Sequence, residues 1–528
     1  MGKEKEISSY EIKQELTKEY NQIVKRTSKP RILLVTPEIT ALPEGMGNAV
    51  NYVAAKGGGL GDISASLVRY LNETNEYDIH IAIPKYDIKI KNVAKFTNQQ
   101  IDRLAIVLSG RGIHLVNDSA FSYLSNPYED NLIHSSARRA LALQRHVINN
   151  LLELVNPDIV HCNDWMTGLI PSAAKAKGIK SLFTLHNIFT EKKTMKDIEL
   201  SGMKPMEFAE YLYFEEFPEN LRQNWKKHFD SNKVDFTASA IFASDYFNTV
   251  SKTFLEELVT DKFSDLVPRP IFEMIKQKYE NGRALGILNA PNDTVNSKVM
   301  GDIVNFNKYE VMEAKAENKR NFQKLMGLPS ESEIPLFFWP NRLYYQKSPE
   351  ILVDNVDYFL KKYNIQIAVV ANGNPKIEKQ LEILSKKFDR IKFKVFDESL
   401  SNLGKAAADF ILMPSRYEPC GLPQMEAPRF GTLPVVRATG GLKDTIEQMD
   451  VKKEAGNGFL FEMADKPGLE FGIREAIKFY DLPFDIKEKN IQRVISHSKR
   501  TFNMKNTASK YMDIYDKLIK QKRDKHSE

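Results

Sequence analysis

Residues 409–445 read DFILMPSRYEPCGLPQMEAPRFGTLPVVRATGGLKDT, and the alternation within them decides the fold class. The apolar run 410–413 is closed by Pro414, and a second run, 433–436, follows Gly431. Short apolar runs bounded by Gly and Pro are expected of strands buried on both faces of a parallel sheet. Between them Glu418 precedes Pro419, which holds it in extended or turn geometry. Cys420, Gly421 and Leu422 follow, and Pro423 suits the first residue of a helix. The free N–H groups of such a helix start attract phosphate, and Gly421 lets backbone approach a ligand closely. An isolated E-P-C-G reads equally well as an ordinary turn with a solvated glutamate.

Working outward, a chain of 528 residues that is 42% hydrophobic and 27% charged is long enough for two domains or more. The net charge of +6 arises from 75 basic and 69 acidic residues, a mild excess that points to no nucleic-acid partner. Cys162 and Cys420 form no CxxC and no disulfide framework, which suits a reducing cytoplasm. No secretory signal and no membrane-length apolar run is present, so no membrane partner is expected. Residues 1–29 alternate Lys and Glu and read as a solvated, charged helical extension. Strands are expected at 32–35, 79–83, 159–161, from 181 onward, and at 247–251, with a helix over 137–154. Residues 193–236 read as helical insertions.

Candidate functional residues cluster where strands end. AAKGGGLGDISASLVRYL (54–71) places Lys56, Gly58 and Gly59 at a glycine-rich helix start, a phosphate-approach geometry that lacks the spacing of a dinucleotide fold or P-loop. HCNDWMTG (161–168) places Asp164 and Trp165 after a strand, where Asp164 reads as a ligand contact or a helix cap. SLFTLHN (181–187) delivers His186. GILNAPND (286–293) carries Asn289. A charged helix over 308–328 leads to the strand LFFW (336–339), and PNRLYYQKSPE (340–350) then puts Arg342 and Lys347 on one strand-to-helix loop.

These strings together, above all PSRYEPCGLPQ with PVVRATGGLKDT and K-x-G-G-L-x-D, closely resemble the bacterial and plant glycogen (starch) synthases. These are retaining glucosyltransferases that use a nucleotide-diphosphate glucose. The resemblance covers most of the chain and implies an α/β fold of two Rossmann-like, doubly wound domains facing across a cleft, the GT-B type. It implies an N-terminal acceptor-side domain over 30–300, a donor-binding domain over 301–485, and C-terminal helices over 486–528 that cross back. His186 matches the family histidine beside the reacting sugar, and Arg342 and Lys347 match the two cations that face the donor diphosphate. Glu418 is assigned by the same resemblance to the donor sugar. Lys56, Gly58, Gly59, Asp164, Asn289, Cys420, Gly421 and Leu422 are the implied substrate contacts.

Three departures accompany the match. Asn163 replaces the second histidine of H-x-H-D-W, Thr190-Glu191-Lys192 replaces an aromatic-Gln-Gly triplet, and Ala290 and Asn292 replace residues of N-G-I-D. About a dozen extra residues, 42–53, also precede Lys56 and read as a surface loop. The expected reaction is transfer of glucose from ADP-glucose or UDP-glucose to an α-1,4-glucan, with no metal or other cofactor. Transfer to another acceptor, or glucan and nucleotide binding without catalysis, are the alternatives.

Overall fold

The structure, a computed structural model, describes residues 26–40, 59–86, 108, 111–121, 136–216, 225–260, 262–263, 267–292, 295, 303–304 and 306–527. The readings of residues 1–25 and 42–53, and of Lys56 and Gly58, lie outside the described residues. The chain divides into two units. The first takes Met1–Thr249, Leu258–Leu285 and Ala508–Glu528, and the second takes Val250–Glu257 and Gly286–Thr507. The second unit thus begins ahead of residue 301. Of the residues after 485, only those from Ala508 onward return to the first unit.

In the first unit the described strands are β1 (Arg31–Val35), β2 (Asp78–Pro84), β3 (Ile113–Val116), β4 (Ile159–Asn163), β5 (Lys180–Leu185), β6 (Lys192–Thr194), β7 (Lys233–Asp235), β8 (Tyr246–Thr249) and β9 (Ala284–Gly286). The main sheet runs β3-β2-β1-β4-β5-β8-β9, with parallel pairing from β3 through β8. Burial on both faces explains why ILLV in β1 is a continuous apolar run with no polar alternation, whereas β4, equally buried, carries His161 and Asn163 as hydrogen-bonded polar groups. The order reverses between β1 and β4, which makes the carboxyl ends of those two strands the switch point of a doubly wound sheet.

The helical run beginning at Ser136 widens to i→i+5 bonding over Val147–Leu151 before it ends at Leu154. The expected helical insertion over 193–236 contains instead an antiparallel pair, β6 with β7, around the short helices Met195–Leu200 and Trp225–Ser231. Three-residue strands rich in Lys and Thr carry no apolar period, so sequence pattern does not expose them.

In the second unit β10 (Leu336–Trp339), β11 (Gln366–Ala371), β12 (Ile391–Val395), β13 (Phe410–Met413), β14 (Leu433–Arg437) and β15 (Phe459–Phe461) form a parallel sheet in the order β12-β11-β10-β13-β14-β15. Its switch point lies between β10 and β13. The helix Val311–Met326 precedes β10 and stops at Gly327, which takes the left-handed conformation that glycine adopts without strain. The expected helix from Pro423 lasts only to Glu426, then tightens over Ala427–Phe430 to end at Gly431. Pro428 cannot donate a backbone hydrogen bond, so the α-helix does not propagate past it. One α-turn is a weaker anion cradle than the full helix start that the sequence suggested. Among the described residues no helix is long and apolar enough to cross a membrane.

The final helix, Met504–Ser527, gives its later residues to the first unit, where a buried polar chain fastens them. Thr184 Oγ1 donates to Asn248 Oδ1 at 2.6 Å, so it accepts from His161 Nε2 at 2.8 Å. His161 Nδ1 must then accept from the Tyr515 hydroxyl at 2.7 Å, while Asn248 Nδ2 donates to the Tyr511 hydroxyl at 3.3 Å. Every member is satisfied only while His161 is neutral, and burial, with a smaller push from His186, lowers its imidazole to about 3.

A histidine depressed in the fold contributes stability that is complete above its unfolded value near pH 6.5 and is lost as pH falls toward 3. Denaturant titrations between pH 7 and 4 are expected to show up to about 1.4 kcal/mol lost per pH unit from this group. The His161→Gln variant, whose amide keeps one donor and one acceptor, should lose that share of the slope, while His186, which burial also lowers to about 3, keeps its own. Retention of the full slope would place the uptake elsewhere. Asp164, which burial raises to about 7, acts in the opposite sense and favours the fold as pH falls from 7 toward 4.

Candidate active site

At the second unit's switch point the loop after β10 and the loop after β13 are laced together. The Arg416 amide donates to the Gln346 carbonyl at 2.9 Å, and Gln346 Nε2 reaches the Tyr417 carbonyl at 3.3 Å. The Arg416 guanidinium donates to the Tyr345 carbonyl at 3.0 Å and lies over the Tyr345 ring, 4.0 Å from its centroid. This lacing brings Lys347 onto Glu418, 71 residues away in sequence, as an ion pair through Oε2. Ser415 Oγ, 3.1 Å from the same oxygen, donates a further bond. Glu418 is buried at 4% exposure, and the Lys347 side chain keeps 18%. A carboxylate this dry needs its cation and its hydroxyl, or it costs several kcal/mol (~3). Arg342, on the same loop, is exposed.

Backbone packing fixes where Glu418 sits. Gly440, at φ +46°, lies so close that a Cβ there would stand 1.9 Å from the Glu418 carbonyl oxygen, and one on Gly441 would stand 2.1 Å from that of Cys420. Gly441 N donates to the Glu418 carbonyl at 2.9 Å. The glycine pair in ATGGLKDT is therefore required by close approach to E-P-C, which links the two halves of the opening stretch. Glu257 holds the other side of this turn, accepting from Thr439 Oγ1 at 3.0 Å and from Gly440 N at 3.0 Å. Sequence reading missed Glu257, because nothing in its helix Lys252–Val259 marks one glutamate as buried.

Gly421 takes φ +74°, and Leu422 precedes the single turn Pro423–Glu426. Cys420 packs with Val250, Met425 and Phe502 in a small apolar cluster, and burial pushes its thiol up. The Asn289 backbone amide donates to that sulfur. The Asn289 side-chain oxygen is buried with no hydrogen-bond partner among the described residues.

In the first unit the ends of β4 and β5 meet. Asp164 adopts φ 58°, ψ 174°, a region that costs a non-glycine residue about 1–3 kcal/mol. Its side chain does not cap the following turn. The carboxylate turns instead across the strand ends, accepting from His186 N at 2.6 Å. Asn163 Nδ2 donates to the Val35 carbonyl at 3.3 Å, so its Oδ1 faces His186 Nε2 at 2.9 Å and accepts from it. This fixes the Nε2–H tautomer and leaves Nδ1 as an acceptor. Burial lowers the His186 imidazole to about 3, so it is neutral at physiological pH. The histidine replaced by Asn163 is thus replaced by the residue that orients His186. Gly59 opens the helix Gly59–Thr74, where Thr40 Oγ1 donates to Asp62 Oδ1 at 2.7 Å.

Of the predicted site residues, Lys347 and Glu418 meet directly, with Cys420, Gly421, Leu422 and Asn289 on or beside the same loop. His186 and Asp164 meet in the first unit. Among the described residues no group of three or more His, Cys, Asp or Glu is arranged to hold a metal ion.

Residues 31–267 match the family described as starch synthase catalytic domain, and residues 321–493 match glycosyl transferases group 1. The chain is 32% identical over 495 residues to the glycogen synthase of Thermotoga maritima, covering 88% of this chain and 96% of that one. It is 30% identical over 494 residues to that of Clostridium novyi, with the same coverage of 88% and 96%. The catalytic domain of starch synthase IV from Arabidopsis thaliana, bound to ADP and acarbose, superposes with a TM-score of 0.73 at 22% identity, covering 94% of this chain and 100% of that one. That likeness shows the fold, the GT-B class of two Rossmann-like units. The matches to both family domains and to the curated relatives show that this chain belongs to the glycogen (starch) synthase family of glycosyltransferases.

Proposed function

We propose that the protein transfers glucose, with retention at the anomeric carbon, from ADP-glucose or UDP-glucose to the non-reducing end of an α-1,4-glucan. The observation that carries this reading is the Lys347–Glu418 pair at the switch point of the second unit, with Arg342 on the same loop. In the reaction the bond from glucose C1 to the β-phosphate oxygen breaks and the nucleoside diphosphate leaves. The acceptor's hydroxyl oxygen takes its place at C1, and its proton leaves with the phosphate. Arg342 and Lys347 supply positive charge for the diphosphate as negative charge builds on it. Glu418 binds the donor sugar and stabilises the positive charge developing at C1. Neutral His186, its tautomer set by Asn163, binds a sugar hydroxyl on the first unit. The backbone at Gly421 and Leu422, the Asn289 side-chain oxygen and Lys56, Gly58, Gly59 and Asp164 complete the substrate contacts. These cations serve without a bound metal, and the reducing cytoplasm suits the two buried free thiols.

A different acceptor is the second reading, favoured by the rebuilt loop at 190–192, where Thr190 Oγ1 donates to Asp235 Oδ1 at 2.6 Å. Incubation with labelled ADP-glucose and UDP-glucose, with and without glycogen, tests both. Label is expected in polymer that an α-1,4-glucan hydrolase degrades to maltose-type products. Transfer to neither water-soluble glucan nor glycogen from either donor would contradict the proposal.

A further inference from the structure

The loop that follows His186 carries an aromatic ring in an unusual setting. Phe189 keeps 51% of its surface exposed while its ring lies 5.0 Å from that of Trp165, tilted by 53°. Trp165 is buried and follows Asp164, whose carboxylate accepts from the His186 amide. Single exposed apolar residues are ordinary on protein surfaces, but this one is held in place. Thr237 Oγ1 donates to the Phe189 carbonyl at 2.7 Å, and Phe189 N donates to the Asn187 carbonyl at 3.0 Å. On its far side Thr237 N donates to Thr190 Oγ1 at 3.1 Å, and Phe236 N donates to the Glu191 carbonyl at 3.0 Å. These bonds hold the backbone that carries Phe189, and the ring, packed against Trp165, keeps about half of its surface outward.

We infer that Phe189 is the surface on which a glucose ring of the α-glucan acceptor stacks, three residues from His186. The inference rests on the proposed transfer reaction. A sugar ring offers an apolar C–H face and a rim of hydroxyls. The site offers one aromatic face beside an exposed Asn187, a half-buried His186 and a half-buried Asp164. Those groups can hydrogen-bond the rim while the ring covers the face. The residues Thr190-Glu191-Lys192 that depart from the family pattern then have a role: they anchor a platform built one residue earlier in the chain.

The test compares the intact protein with Phe189→Ala and Phe189→Trp, using maltoheptaose as acceptor. Phe189→Ala is expected to raise the acceptor KM about tenfold (~1.4 kcal/mol), with donor KM within about twofold of wild type and an unchanged melting temperature. Phe189→Trp, which keeps an aromatic face, is expected to restore acceptor KM. Unchanged acceptor KM, or equal weakening toward donor and acceptor, overturns the assignment. Calorimetric titration of maltoheptaose without donor separates this inference from the reaction on which it rests. If wild type binds maltoheptaose and Phe189→Ala binds it about tenfold more weakly, the platform stands even where no transfer is seen. Equal binding by both, or no binding by wild type, overturns it.

Discussion

Glu418→Ala is expected to lower glucosyl transfer by at least about a thousandfold, ~4 kcal/mol of transition-state stabilisation, while costing only about 1 kcal/mol of stability. The asymmetry follows from exposure. Removing the carboxylate leaves Lys347, whose side chain keeps 18% of its surface and can turn to water. Removing the cation instead, in Lys347→Ala, strands a carboxylate that is 4% exposed, so that variant is expected to lose about 3 kcal/mol of stability. Urea titrations of the two variants check the order. A larger stability loss for Glu418→Ala than for Lys347→Ala would mean that the pair is held for packing rather than for charge.

Arg342→Ala is expected to separate function from stability more cleanly. Arg342 is exposed on the loop after β10, so its loss should leave the melting temperature unchanged. Its charge meets the diphosphate in both the ground state and the transition state, so KM for the donor should rise and kcat should fall. A combined loss of about a hundredfold in kcat/KM, ~2.7 kcal/mol, is expected. Arg342→Lys should recover only part of it, because an ammonium cannot make a bidentate contact with phosphate. A change confined to kcat, with donor KM untouched, would place Arg342 away from the bound donor.

Much of this was legible because the strands are buried on both faces. FILM, LFFW and ILLV are apolar without interruption, and a proline follows each within two residues. The loops at their carboxyl ends then held the candidate residues, as the doubly wound fold requires. What pairs with what was not legible. Lys347 and Glu418 stand 71 residues apart, and only the strand order β10-β13 makes their loops neighbours. The same holds for Asn163 and His186, which read as a lost histidine and a lone one until β4 and β5 are seen side by side. Glu257 gave no signal because a buried glutamate and a solvated one have the same helical spacing. The helix start at Pro423 was legible, and its end is set by Pro428 in the same stretch, where α-geometry gives out.

The central claim is that the charge on the Lys347–Glu418 pair serves the reaction and is not needed to hold the fold. A Glu418→Gln, Lys347→Met double variant removes both charges while keeping shape, and a neutral buried pair of similar volume is expected to match wild-type stability within about 1 kcal/mol. The rate of labelled glucose transfer to glycogen by this stability-matched variant tests the claim most directly. The account predicts a loss of at least about a thousandfold in rate from a protein as stable as wild type. Transfer within about tenfold of wild type would contradict it.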